Sequence, residues 1–158
     1  MNKSAENVTD LQGLHKFHCY GDKAALCLEE STTQGGFPTV MLQVAPRESR
    51  SANAEWSKCV NIQLTFHELP IFAGLLMGYL STCEFKRQQK GIQITRQQGS
   101  LYFHASQSCS YALPVYPGDA FHLTALTLSQ LEKSAFGVDR TLMLASLRAS
   151  MSLYKTNS

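Results

Sequence analysis

The sequence lacks long apolar runs, strong net charge and a secretory signal, and each absence excludes a class of protein. Its longest apolar stretch, near residues 71–80, is about half the roughly 20 residues that a membrane-spanning helix needs, and glycines interrupt it. Charged residues make up only 16% of the chain, and the formal net charge is +2, which excludes a histone-like tail or a polybasic membrane anchor. The start of the chain has no basic flank followed by an apolar run, so nothing favours export. We therefore expect a protein that does not interact with membranes.

The five cysteines are scattered, and no two have the two-residue spacing of zinc ribbons. We interpret them as free thiols in a reducing compartment, which favours a cytoplasmic protein, with a nucleoid-associated or organellar one as alternatives. No phosphate-binding glycine loop, zinc-protease pair or nucleophile elbow occurs. We expect no catalytic residues, no metal and no cofactor, and hence no enzyme.

A chain of 158 residues with a hydrophobic fraction of 44% is long enough to bury one core and too short for two large ones. The polar ends predict flexible segments at residues 1–12 and 154–158, on either side of a single domain at 13–153.

Within this domain the hydrophobic pattern changes between two periods. Period-two alternation predicts four half-buried strands near residues 16–20, 26–29, 40–45 and 60–65. Thr65 and Glu68 form a capping box, which starts a helix whose apolar stripe runs from Leu69 to Leu80.

The same pattern then recurs. Four more strands are predicted near residues 84–87, 92–96, 101–105 and 111–116, and a second helix begins at Pro117 and closes near Gly137. Asp139 caps a third helix, in which Leu142, Leu147 and either Ala145 or Met143 face the core. A duplicated ββββα unit of this kind predicts an α+β fold, with two antiparallel sheets packed against helices.

Because side chains alternate along a strand, placing the aliphatic residues inward leaves mostly neutral polar groups, aromatic rings and scattered cations outward. Such groups suit an unpaired nucleic-acid strand, whose bases stack on rings and whose phosphates attract cations. The candidate binding residues are Lys16, His18, Tyr20, Lys23, Gln43, Arg47, Asn61, Gln63, Lys86, Arg87, Lys90, Gln93, Arg96, Tyr102 and His104.

Charge is unevenly distributed along the second half. Residues 85–118 contain four cations and no Asp or Glu, which predicts a local positive patch. The alternative is an ordinary solvated face of an antiparallel sheet, which would also be polar.

The turn between the first two strands reads Tyr20-Gly21-Asp22-Lys23-Ala24-Ala25-Leu26-Cys27-Leu28-Glu29. This stretch resembles the signature of the Whirly proteins, which reads lysine, glycine, lysine, alanine, alanine, leucine, serine. Lys23 to Leu26 match as they stand, whereas Gly21 and Asp22 replace the first lysine and the glycine, and Cys27 replaces the serine. The motif falls at the same turn of the same doubled plan, and the resemblance of plan covers roughly residues 16–147.

The resemblance implies a homotetramer with a helical hub that binds single-stranded DNA along its sheets, with little sequence preference, in DNA maintenance or transcription. Lys23 would inherit the family's role in assembly and binding, although the missing first lysine puts the assembly part in doubt. The trypanosome guide-RNA-annealing proteins and the positive-cofactor-type transcriptional coactivator look like relatives, which makes single-stranded RNA binding or annealing an alternative. A non-catalytic protein-interaction module that recruits partners by strand addition is a further alternative.

Self-association has separate support in the first helix. Its stripe sets large residues beside Ala73, Gly74 and Gly78, as close helix packing requires, and this favours a homo-oligomer, with a tetramer first. The alternative is that the stripe serves only the core of one chain.

Overall fold

The structure, a computed structural model, describes residues 15–157 and contains the predicted doubled unit. The first sheet, sheet 1, consists of β1 (Lys16–Tyr20), β2 (Ala24–Thr32), β3 (Pro38–Pro46) and β4 (Val60–Gln63). Its strands are antiparallel and lie in chain order. A 3-10 segment, Trp56–Lys58, lies in the connection between β3 and β4. The expected flexibility of residues 1–12 falls outside the described residues.

The second sheet repeats this topology. Sheet 2 consists of β5 (Thr82–Arg87), β6 (Lys90–Gln97), β7 (Ser100–Ser106) and β8 (Ser110–Val115), again antiparallel and in chain order. The helices are α1 (Glu68–Leu76), α2 (Pro117–Ser134) and α3 (Arg140–Met151), and a 3-10 segment, Ser152–Asn157, follows α3. The predicted α+β class, with two antiparallel sheets and three helices, is confirmed.

The aliphatic residues predicted to face inward form one shared core. Leu26, Leu42, Ile62, Ile94 and Phe103 are all 0–1% exposed and belong to a single cluster that includes residues from both sheets and all three helices. The two sheets also approach each other directly, because a Cβ atom added at Gly21 would lie 2.8 Å from the Cβ of Leu113 in β8. Each sheet therefore has an inner face toward this core and an outer face away from it.

Both predicted helix caps are present. The Glu68 amide donates to the Thr65 hydroxyl at 3.1 Å, and the Thr65 amide donates to the Glu68 carboxylate at 3.0 Å. Asp139 accepts from the Leu142 amide at 3.0 Å at the start of α3. These short-range motifs confirm where α1 and α3 begin.

The predicted end of α1 is wrong. The helix ends at Leu76 rather than continuing to Leu80, because Gly78 adopts a φ of +85°, which only glycine accepts easily. The Tyr79 amide returns to the Gly74 carbonyl at 2.8 Å and closes the last turn. Tyr79 and Leu80 therefore lie beyond the helix.

The interpretation of the α1 stripe as a contact between chains is also wrong. Every residue from Phe72 to Leu76 is buried within one chain. A Cβ at Gly74 would lie 2.5 Å from the Met151 side chain, so the small residue makes room for α3 of the same chain. The stripe serves the core of the monomer.

In α3 the buried residues are Met143, Leu147 and Met151. Leu142 is 57% exposed, so its predicted place in the core is wrong. Of the two alternatives beside it, Met143 is the buried one and Ala145 is exposed. No helix within residues 15–157 combines the length and the apolar character needed to cross a membrane.

Candidate nucleic-acid interface

The outer face of sheet 1 brings five of the predicted binding residues together. The strand register places His18, Cys27, Gln43 and Asn61 in one row across the sheet. The neighbouring row contains Lys16, Glu29, Met41 and Gln63. Their common side is opposite the core, as the alternation predicts, and all five candidate side chains in the two rows are half-buried.

Three rings follow the β1 edge of this face, and we call Trp56, His18 and Tyr20 the aromatic row. The rings of His18 and Tyr20 are nearly parallel, with centroids 6.1 Å apart and an interplanar angle of 12°. Trp56 contacts His18 edge-on, with centroids 5.5 Å apart. Tyr20 is 54% exposed, so the row ends in an accessible ring.

Trp56 reaches this face because the connection between β3 and β4 folds back over sheet 1. Ala25, Cys27 and Ala45 point outward by the alternation, yet each is at most 3% exposed. The 3-10 segment containing Trp56 contacts β3 and covers part of this face. Sequence reasoning missed Trp56, although it is the chain's single tryptophan and lies among polar residues.

Arg47 holds this connection in place and also contacts the aromatic row. Its guanidinium donates to the carbonyls of Ala52 and Gly21, each at 2.9 Å, and to that of Arg50. The same group lies 5.3 Å from the centroid of the Tyr20 ring, within range of a cation–π contact. Because all three hydrogen-bond partners are carbonyls, the positive charge of Arg47 is not neutralised by a carboxylate.

His18 is poised to act as a neutral ring rather than as a cation. Burial, followed by the positive charge of Lys16, holds the pKa of His18 below its ordinary value of 6.5. At neutral pH its imidazole therefore stacks without charge.

The outer face of sheet 2 carries a second, separate group of predicted residues. Gln93 and His104 lie opposite each other, and Tyr102 and Lys86 share their side of the sheet. Lys86 pairs with Glu84 at 3.1 Å. Because both sheets turn their inner faces toward one core, their outer faces point away from each other. Each chain therefore has two separate polar faces, and the predicted binding residues are divided between them.

Arg87 and Arg96, two of the candidate binding residues, lie on neither outer face. Arg87 donates twice to the Glu68 carboxylate, at 2.7 and 3.0 Å, and once to the Gln63 carbonyl at 2.7 Å. Arg96 donates to the carbonyls of Leu75 and Leu76, at 3.0 and 3.4 Å. The two arginines hold the two ends of α1, where their charges complement the Glu68 carboxylate and the exposed carbonyls.

The pairing with Arg87 also changes the pKa of the Glu68 carboxyl. Burial raises the pKa of Glu68, but hydrogen bonds from Arg87 and Thr65 outweigh burial and lower it overall. Lys86 and Arg87 are paired to carboxylates, which neutralises part of the predicted positive patch of residues 85–118, whereas Arg96 bonds to helix carbonyls and keeps its charge.

The other predicted residues have structural contacts as well. Lys23 donates to the Glu48 carbonyl at 3.0 Å and so ties the β1–β2 turn to the β3–β4 connection. The Gln63 amide donates to the Ser31 hydroxyl at 2.6 Å and to the Thr32 carbonyl at 3.1 Å. Lys90 lies at the β5–β6 turn, close enough to Cys59 to oppose the effect of burial on that thiol's pKa.

The thiols are not arranged for chemistry. All five cysteines are free, and burial raises the pKa of Cys27 and of Cys83 to about 12, which keeps both protonated near neutral pH. Over the part of the chain that the structure describes, no three His, Cys, Asp or Glu side chains group as metal ligands.

Two solved structures share this fold. The MRP1/MRP2 proteins of a trypanosome align with a TM-score of 0.57 and 11% identity, over 79% of this chain and 96% of the other. A guide-RNA-binding protein complex bound to a guide RNA aligns with the same TM-score and identity, over 74% of this chain and 89% of that chain. At such identity the likeness shows the fold alone.

No protein-family model matches the sequence, and no curated protein matches it. The expected likeness to trypanosome guide-RNA proteins is confirmed for the fold. Membership of the Whirly family stays a prediction.

Proposed function

We propose that this protein binds single-stranded nucleic acid on the outer face of sheet 1, without catalysis. The observation that carries this proposal is the aromatic row with Arg47 beside it. Stacking of a base on a protein ring is worth about 1–3 kcal/mol and tolerates any sequence, because every base has a π-face. Bases in a duplex are already stacked on one another, so an unpaired strand is the preferred ligand.

The polar rows beside the rings supply the remaining contacts. Gln43 and Asn61 continue the His18 row across the sheet, and Lys16 lies one row away. Amide groups can hydrogen-bond base edges and sugar hydroxyls, while Lys16 and Arg47 can meet phosphates. Because this face offers few cations to phosphates, stacking supplies more of the binding free energy than phosphate contacts do.

The first ligand to test is RNA. The sequence alone favoured single-stranded DNA, but the printed description of one structural neighbour is a complex bound to a guide RNA, which supports RNA. Five free cysteines support the cytoplasm, or another reducing compartment, as the site of action.

Self-association remains part of the proposal, but on a different surface from the one the sequence indicated. Since α1 is buried, the helices can meet a second copy only through α2 and α3, where Phe121 is 67% exposed and Leu142 57%. A homotetramer built on these faces would leave both sheets of each chain open to ligand.

Trp56 provides a direct test, because it is the single tryptophan and belongs to the aromatic row. Titration with unstructured single-stranded RNA, single-stranded DNA and a duplex of matched length should quench its fluorescence, most strongly with RNA and least with the duplex. Equal affinity for the duplex, or no binding at low salt, would refute the proposal. Binding that leaves Trp56 fluorescence unchanged would place the ligand elsewhere.

A further inference from the structure

Three phenylalanines from three loops lie together at one end of sheet 1, the end with the β2–β3 turn. The nucleic-acid interface does not use them. Phe37 lies in the β2–β3 turn, Phe66 between β4 and α1, and Phe136 between α2 and α3. The ring of Phe66 is 4.3 Å from that of Phe37 and 5.9 Å from that of Phe136, measured between centroids. We call these three residues the aromatic end patch.

Phe136 contributes little to the core. Its side chain is 80% exposed, so folding buries little of the ring. Its φ of 57° lies in the left-handed region, which bulky residues rarely adopt and which asparagine accepts more readily. A phenylalanine at such a position is unfavourable for the isolated chain, which points to a role in contacts with another molecule.

The charges around the patch do not suit a polyanion. Arg140 pairs with Glu132 at 3.0 Å, and Lys133 lies 3.9 Å from Glu30. Arg87, next to the capping box that contains Phe66, is held by Glu68. Each of these cations has a carboxylate partner, unlike Arg47 at the aromatic row. The patch is therefore apolar with a neutral rim, which fits a protein ligand better than a nucleic acid.

The size of the patch selects the kind of protein ligand. Phe37 and Phe136 are 37% and 80% exposed. Together they offer on the order of 250 Å² of apolar surface, taking about 200 Å² for a full phenylalanine side chain. A stable dimer buries about 800 Å² on each partner, so this area is too small to hold two folded chains together by itself. It is enough to seat one or two side chains of a short segment.

We propose that the aromatic end patch is a docking site for a short apolar segment of a partner protein, which seats a bulky aliphatic or aromatic side chain among the three rings. The site is separate from the nucleic-acid interface, and its occupation does not depend on the proposed function. Phe136 is the anchor residue, since it is the most exposed of the three.

The probe is a phage-displayed library of random dodecapeptides selected on the wild-type protein, and the enriched peptides are then measured on Phe136→Asn. This variant should fold as the wild type does, because asparagine suits the backbone and the ring is exposed, and circular dichroism checks this. Phe37→Ser tests the opposite side of the patch. Tyr116→Gln is the matched control, because it removes another exposed aromatic ring, at the opposite end of α2 from Phe136.

Selected peptides should carry one or two bulky apolar anchors and bind Phe136→Asn at least about tenfold more weakly, with binding to Tyr116→Gln unchanged. Failure to enrich peptides, or equal binding to Phe136→Asn, would overturn the proposal. Loss of RNA binding in Phe136→Asn would instead assign the patch to the nucleic acid. A change in the oligomer seen by light scattering would assign it to a second copy. Both of these results would also overturn it, whereas failure of the RNA titration on the wild type would leave it standing.

Discussion

Replacement of Tyr20 by alanine tests the aromatic row most directly, because Tyr20 is its most accessible ring. The Arg47 guanidinium lies 5.3 Å from the centroid of this ring and the His18 ring is stacked 6.1 Å from it, so both already take up part of the stacking surface. We therefore expect the lower part of the stacking range, about 1–2 kcal/mol, which corresponds to roughly 5- to 30-fold weaker binding. Tyr20→Phe keeps the stacking surface and should retain most of the affinity.

Tyr154 provides a matched control, since it is 53% exposed against 54% for Tyr20 and lies after α3, away from sheet 1. Fluorescence anisotropy with labelled single-stranded RNA should show weaker binding for Tyr20→Ala and none of this loss for Tyr154→Ala. The salt dependence should not change, because no phosphate contact is removed. Unchanged affinity of Tyr20→Ala, or an equal loss in both variants, would refute the stacking argument.

Three further predictions concern the framework around the site. Arg87→Ala should destabilise the protein by about 2 kcal/mol in urea unfolding, since it leaves a partly buried carboxylate unpaired, whereas Lys86→Ala, at an exposed pair, should cost less than about 1 kcal/mol. Gly21→Ala should cost about 1–3 kcal/mol because its Cβ would press on β8, while Gly118→Ala, with open space around it, should be nearly neutral. The lowered pKa of His18 means that the unfolded state takes up its proton first, so stability should be complete above about pH 6.5 and fall as the pH drops below it. The midpoint of thermal unfolding should fall less in His18→Gln than in the wild type over this range, and an identical fall in both proteins would contradict the assignment.

Local patterns predicted the elements of this fold well because their causes are local. Alternation along β1 to β8 follows from strand geometry, and the caps at Thr65 and Asp139 need only residues within one turn. The end of α1 was missed because the stripe continues through Tyr79 and Leu80, while the backbone of one glycine stops the helix first.

Long-range contacts decided what the sequence could not show about the site. Arg87 and Arg96 stand at strand ends, from which their long side chains reach the two termini of a helix that is distant in sequence. The position of Trp56 depends on how a 13-residue connection, residues 47–59, folds over sheet 1. The hydrophobic pattern of the sequence does not predict the path of such a connection. The candidate face on sheet 1 has the predicted rings and amides but few cations, and the positive patch predicted for residues 85–118 lies on the other sheet.

The small number of cations on this face limits the affinity for nucleic acid that one chain can reach alone. Two or three stacked bases supply about 2–9 kcal/mol, and a large part of this offsets the cost of association, whereas micromolar binding needs about 8 kcal/mol net. A single aromatic row with two or three cations therefore gives weak binding. Linking several rows on one strand can raise the overall affinity by a factor of about 10² to 10⁴ without any new kind of contact. Submicromolar binding by this protein would thus require assembly, and the exposed faces of α2 and α3 are as important to the proposed function as the rings themselves.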